Sequence, residues 1–154
     1  MTEGNRSGDR RRRAACLEEV AFLELARTTD MLSRGLVRIL KVEDLSPTQY
    51  NVLRILRGAG KDGLCRNEVR DRMVAQVPDV TRLLDRLEDA GLIERERSTE
   101  DRRQVGTRIT ARGLQLLSEL DAPVAEIHRR QLGHLSASQL RALAELLTLA
   151  RQRP

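Results

Sequence analysis

The sequence predicts a mainly α-helical fold carrying one small β-hairpin. Apolar residues recur at helical spacing through most of the chain, and the period shortens to two only after Gly91. Two segments, Ser46-Pro47-Thr48-Gln49 and Ser136-Ala137-Ser138-Gln139, carry the residues that start helices. At 154 residues, 33% charged and 40% hydrophobic, the chain has the balance of one globular domain.

Residues 1–13 form a basic arm with five arginines against Glu3 and Asp9, interrupted by Gly4 and Gly8. Such an arm suits either a disordered terminus or a nucleic-acid contact. A long helix is expected over 14–41, where Leu17, Val20, Leu25, Leu32, Leu36 and Ile39 form a stripe. Phe22, Leu23, Met31, Val37 and Leu40 widen that stripe, so the helix needs apolar cover on more than one side. At Ser46 a hydroxyl cap, Pro47 at the first helical position and Gln49 at the third start a short helix over 47–57. Gly58, Gly60 and Gly63 end it, and a second short helix over 66–74 turns Val69 and Met73 inward. Val77-Pro78-Asp79 opens a third, with Pro78 at or near its first turn and Val80, Leu83, Leu84 and Leu87 as its apolar face up to Gly91.

Residues 92–97 then read as extended, 98–103 as a polar arginine-rich turn, and Val105, Thr107 and Ile109 as an alternating return strand. Thr110 caps a further helix with Leu114, Leu117 and Leu120, kinked at Pro123. After Ser136, Leu140, Leu143, Leu147 and Ala150 give the last helix a narrow stripe. Over 46–110 the three short helices suggest a helix-turn-helix, and the arginine-rich hairpin after them fits a solvent-facing wing. The helices on either side, 14–44 and 111–154, have apolar faces best used by mutual burial in a homodimer, with packing on their own chain as the alternative.

Several classes of function are poorly supplied. Cys16 and Cys65 form no Cys-x-x-Cys, and His128 and His134 have no ligand cluster near them, so no metal site or disulfide framework is expected. No phosphate loop, nucleophile elbow or isolated carboxylate cluster appears, so no catalytic residue and no cofactor is assigned. Apolar runs are too short for a membrane span or a signal-peptide core, which makes the cytoplasm the default location. The formal charge of +5 is carried almost wholly by arginine, which suits phosphate and guanine recognition.

Across residues 66–112 eleven arginines face ten carboxylates, so bulk charge does not argue for DNA. Position does. Arg82 and Arg86 lie opposite the leucines of the third short helix, with Gln76 before it and Thr81 in its first turns, the arrangement that reads base edges in a major groove. These arginines fit equally a solvated face paired with Asp85 or Asp89. Asp79 suits a helix N-terminus, or otherwise a cytosine amine. In the turn, Arg97, Arg102, Arg103 and Arg108 stand against Glu100 and Asp101. A guanidinium there can enter a minor groove, with Asp101 holding its neighbours.

The run VPDVTRLLDRLEDAGLIERERSTEDRRQVGTRITARG resembles the recognition helix, Gly-Leu exit, Asp-Arg-Arg wing and Thr-x-x-Gly helix start of the MarR family of bacterial transcription regulators. LSPTQYNVLRIL resembles the helix before that family's DNA-binding pair, and the likeness runs in order over about 17–150. The resemblance implies a homodimeric winged helix-turn-helix that binds double-stranded DNA at a pseudo-palindromic operator and dimerises through its end helices. It makes 77–90 the recognition helix, with Thr81 and Arg82 at its reading end. Asp101 and Arg103 become the wing pair, with Arg103 at the minor groove, and Asn67 and Glu68 the polar pair opening the supporting helix. This chain departs from the pattern at Cys65, where a capping Ser or Thr is common, and at Arg70, where a small residue usually packs.

The same resemblance implies release by a small anionic or aromatic effector, or by cysteine oxidation. With one Tyr, one Phe and no Trp, an aromatic-lined pocket is poorly supplied, but Met31, Arg34, Arg38 and Tyr50 suit an acidic apolar ligand. Cys16 and Cys65 are the redox candidates; each also suits a small packed hydrophobe. The reading that follows is a cytoplasmic, ligand-responsive repressor, not an enzyme. Its alternatives are a winged-helix protein-interaction module without DNA binding and a cysteine-based redox-sensing regulator.

Overall fold

The computed structural model describes residues 16–97 and 105–152. The chain divides into two units, 1–31 and 32–154, with the boundary inside the first helix. That helix, α1 (Leu17–Val42), begins three residues later than its periodicity suggests. Within the first unit its apolar side chains lie open, Leu17 at 84% and Phe22 at 68% exposure. In the second unit Leu40 is fully buried, and Gly35, also buried, has a particular reason to be glycine. A Cβ there would lie 2.7 Å from Gln131 Nε2 and 2.8 Å from Ile127 Cγ1. The Gln131 amide donates to the Leu32 carbonyl at 3.0 Å beside that close approach.

Helix α2 (Pro47–Ala59) starts as its sequence dictates. The Gln49 N–H donates to Ser46 Oγ at 3.1 Å, and the Ser46 N–H donates back to Gln49 Oε1 at 2.9 Å. Tyr50, Val52, Leu53 and Leu56 form its buried face. A 3-10 turn (Gly60–Asp62) leads through Gly63, at φ 68°, to β1 (Leu64–Cys65), a strand with no expectation behind it. Helix α3 (Arg66–Arg72) follows directly, and α4 runs Val80–Asp89.

The start of α4 corrects the expected 77–90. Pro78 precedes the helix and Asp79 is its N-cap, because the Asp79 carboxylate accepts the Arg82 N–H at 2.9 Å. β2 (Ile93–Arg97) and β3 (Val105–Ile109) are antiparallel, with Ile93 opposite Ile109 and Arg97 opposite Val105. β1 pairs with the other edge of β3, giving the order β1-β3-β2. Arg108 therefore stands near the base of the hairpin, opposite Glu94, and not at its tip.

Thr110 caps α5 (Ala111–Leu132), accepting the Gly113 N–H at 3.1 Å while its hydroxyl donates to the Gly91 carbonyl at 2.7 Å. The helix continues through Pro123, the position of the expected kink. Ser136 caps α6 (Ala137–Arg151), which has no buried residue. Its outer leucines stay open, Leu146 at 64% and Leu149 at 61%. The core joins Leu40, Leu53 and Leu56 to Val69 of α3, Leu84 and Leu87 of α4, Ile93 of β2, and Leu117 and Val124 of α5. Burying such side chains is worth about 1.5–3 kcal/mol each, so the three short helices and the hairpin share one anchorage.

Candidate nucleic-acid interface

Helix α4 is strongly two-sided. Val80, Leu84 and Leu87 hold one face in the core, with Leu83 half-buried beside them, while Thr81, Arg82, Arg86 and Asp89 are exposed on the other. Gln76 is exposed in the connection before it. The turn between α3 and α4 is held from below, since the Val74 N–H donates to Asn51 Oδ1 of α2 at 2.9 Å. Sequence reasoning passed over Asn51 because a side chain bonding 23 residues away leaves no local signature.

Several carboxylates of this region have definite partners. Asp79 closes the α4 N-terminus. Glu68 accepts the Cys65 N–H at 2.7 Å, and that bond holds its carboxyl below the ordinary value. Cys65 thus sits at the α3 N-cap with the returning half of a capping box in place. Asp85, read with Asp89 as a partner for Arg82 and Arg86, instead faces Arg95 of β2, as does Glu88. Arg95 donates from Nη2 to Asp85 Oδ1 at 2.6 Å and from Nε to Glu88 Oε2 at 2.8 Å, with a further Nη2 bond to Glu88 Oε2. The Arg95 backbone N–H donates to Glu88 Oε1 at 3.1 Å. These bonds, with Glu88 first, hold the guanidinium above its ordinary pKa.

Among the described residues, neither Arg82 nor Arg86 makes an ion pair, so both keep their donors for an incoming acceptor. Arg66, at the first position of α3, donates to Thr81 Oγ1 at 3.3 Å. It joins the exposed face beside Arg82, and its only sequence signal was its place directly after the α3 cap. Arg70 is exposed and bonds Asp71 at 3.2 Å. Arg108 donates to Glu96 at 3.2 Å on the hairpin. Arg97 is the last residue of β2. Asp101, Arg102 and Arg103 lie outside the described residues.

The other expected sites are dispersed. Met31, Arg34 and Arg38 are exposed residues of α1, whereas Tyr50 is a core residue at 5% exposure with Arg54 over its ring at 5.8 Å. Within the second unit a cavity of about 550 Å³ has Glu43, Gln49, Arg86, Arg112, Leu116 and Glu119 among its lining residues. None of Met31, Arg34, Arg38 and Tyr50 lines it. Cys16 is exposed, Cys65 half-buried, and both are free thiols. Among the described residues no three His, Cys, Asp or Glu side chains gather as metal ligands, and no helix is long and apolar enough to cross a membrane.

A two-sided second helix, a supporting helix joined to it by a braced turn, and a hairpin bonded to the helix side define a winged helix-turn-helix DNA-binding protein. Comparison with known proteins narrows the class. The MarR family model matches residues 45–105. A crystal structure of a MarR transcription factor from Planctomyces limnophilus is 42% identical, covering 89% of this chain and 99% of that one, with a TM-score of 0.68. The chain belongs to the MarR family, whose members are DNA-binding transcription regulators and not enzymes. The HTH-type transcriptional repressor IacR of Pseudomonas putida is 28% identical over 130 residues, 84% of this chain and 77% of that protein. A mutant of MarR from E. coli, solved in complex with operator DNA, shares the fold at 23% identity and a TM-score of 0.77, covering 90% of this chain and all of that one.

Proposed function

We propose that this chain is a cytoplasmic homodimeric repressor that binds a pseudo-palindromic operator and is released by a small effector. The carrying observation is the outer face of α4, where the side chains of Arg82 and Arg86 have no protein partner among the described residues while Asp85 is engaged elsewhere. Thr81, Arg82 and Gln76 are the proposed base-reading groups, and Arg86 a phosphate or base contact. Arg97, Arg102 and Arg103 are the proposed wing contacts, with Asp101 orienting them and Arg103 at the minor groove. Asp79 belongs to the site as the cap that fixes where the reading end begins.

Dimerisation is supported by apolar side chains left open on α1 and α6, such as Leu17 and Leu146. A dimer places two reading helices on successive major grooves about 34 Å apart. Repression is supported by the likeness to IacR. Release by a small anionic or aromatic ligand is supported by the cavity, which joins Arg86 of α4 to Arg112 and Glu119 of α5, so that an occupant bears directly on the reading helix.

The test is binding to a duplex selected from a random-sequence pool, followed by fluorescence anisotropy across salt. A salt-sensitive complex of two chains per duplex is expected. Arg103→Ala should weaken all sequences and lower the salt slope by about one, whereas Arg82→Ala should relax preference at particular base pairs. A chain that is monomeric at micromolar concentration, or that selects no duplex, overturns the proposal.

A further inference from the structure

The two carboxylates on the flank of α4 are out of keeping with a surface that meets phosphate. Each adds repulsion toward a polyanion, and Asp85, three residues from Arg82, is placed to neutralise the arginine that should read bases. Their geometry points to an internal task. Asp85 and Glu88 are one helical turn apart and aim at the same guanidinium. Glu88 uses both oxygens on one residue, one for the Arg95 backbone N–H and one for its side chain, so it grips the strand itself. Arg95 is near the middle of β2, opposite Thr107, a buried residue of β3 that also pairs with Leu64 of β1. Any displacement of Arg95 is therefore felt through the whole sheet. Its side chain is only 25% exposed, and planar bidentate bonding of this kind fixes direction as well as distance.

We propose that Arg95 is a positioning residue that sets the wing against the reading helix and, by engaging Asp85, keeps Arg82 available to the duplex. The inference rests on the reading of α4 and the wing as the DNA-contacting elements. In it Arg95 touches no DNA. With the clamp closed, the carboxylates are bound to a cation and directed away from Arg82. With the clamp open, Asp85 is free to fold back on Arg82, three residues before it on the helix, and β2 loses its attachment to the flank of α4. One substitution thus removes both the relative placement of the two contact elements and the free donor on one of them.

The test compares wild type, Arg95→Gln, Arg95→Lys and the double variant Arg95→Gln with Asp85→Asn. All are measured on a selected duplex and a random duplex, well below each variant's melting temperature. Arg95→Gln should lose roughly tenfold or more on the selected duplex, the size of one bidentate base contact, and less than about threefold on random DNA. Its salt slope should stay unchanged, because no phosphate contact has gone. Arg95→Lys, which keeps a cation between the carboxylates, should recover part of the loss. Removing the freed Asp85 charge in the double variant should recover preference at the base pairs that Arg82 reads. Equal losses on both duplexes with a slope lowered by about one would make Arg95 a direct phosphate contact and overturn the proposal. A lowered melting temperature with unchanged selectivity would reduce it to a stability bond and overturn it as well. If the wild type itself selects no duplex, the DNA-binding reading fails first. In that case hydrogen exchange of the β2 and β3 amides, compared between wild type and Arg95→Gln, still decides whether the clamp holds the wing.

Discussion

Replacing Asp79 separates two roles that a carboxylate at the start of a reading helix can play. The Asp79 Oδ1 atom accepts the Arg82 N–H at 2.9 Å, which satisfies one of the free donors of the first turn of α4. Asp79→Ala removes that acceptor and should cost about 1 kcal/mol. For a chain of this size that lowers the melting temperature by about 2–4 °C at fixed chain concentration. Asp79→Ser keeps an acceptor at the cap and loses only the charge facing the helix dipole, at most about 1 kcal/mol. Circular dichroism melts of both variants measure these costs.

The same two proteins then report on DNA. If Asp79 is a cap, Asp79→Ser should bind a selected duplex as tightly as wild type or more tightly at low salt, since one negative charge has left the contact surface. If Asp79 accepts from a cytosine amine, Asp79→Ser must lose about 1–3 kcal/mol, tenfold or more, at one base pair while leaving the others unchanged. A position-specific loss in Asp79→Ser with normal stability would refute the capping assignment, and with it the place at which α4 is taken to begin.

Three further outcomes follow from packing and charge. Gly113→Ala should cost about 1–3 kcal/mol or more in urea unfolding, since a Cβ there would lie 2.3 Å from the Leu92 carbonyl oxygen and 2.7 Å from Ile109 Cγ1; a loss under about 1 kcal/mol would mean that the α5 start is free to shift. Arg57 donates twice to Asp121, at 2.8 and 2.9 Å, and holds that carboxyl below its ordinary value of 3.8. Because the folded pKa is the lower one, the pair stabilises above 3.8 and loses its contribution as pH falls through the folded value. Asp121→Asn should therefore cost up to about 1 kcal/mol at neutral pH and nothing at pH well below that range, measured by urea titration at the two pH values. Leu146→Glu should be nearly neutral, within about 0.5 kcal/mol, if α6 is exposed in solution, but should convert a dimer to monomers in sedimentation if that face is the contact.

Most of the helical frame was legible because its signals are local. Ser46, Thr110 and Ser136 cap the helices they announce, and the alternation of Thr107 and Ile109 marks a strand. What escaped depends on partners distant in sequence. β1 is two residues long, too short for any period, and exists because Leu64 and Cys65 pair with Thr107 and Gly106. The expected start of α4 followed a helix-friendly proline, whereas the Asp79 cap fixes it after Pro78. At the candidate site the exposed arginines of α4 were readable from spacing. The fate of their acidic neighbours was not, because Arg95 competes for Asp85 and Glu88 from another element.

That competition bears on how a nearly neutral region can suit DNA. Over residues 66–112 the charges almost cancel, and a count of them points to no partner. The cancellation is not spread evenly. Glu68 and Asp79 face helix N-termini, where the positive end of the dipole offsets them. Asp85 and Glu88 share Arg95, and Glu96 accepts from Arg108 of the neighbouring strand. Carboxylates occupied in this way act at short range on groups of the fold itself, while Arg82 and Arg86 stand at the surface with no acidic partner among the described residues. Since attraction to phosphate is decided within about a Debye length of 8 Å, the arrangement of charge on the outer face governs binding and the total does not. On the proposed reading the engaged carboxylates serve the contact surface indirectly: Asp79 sets where α4 begins, Asp85 and Glu88 hold β2 against it, and Arg82 and Arg86 are left without an acidic partner among the described residues.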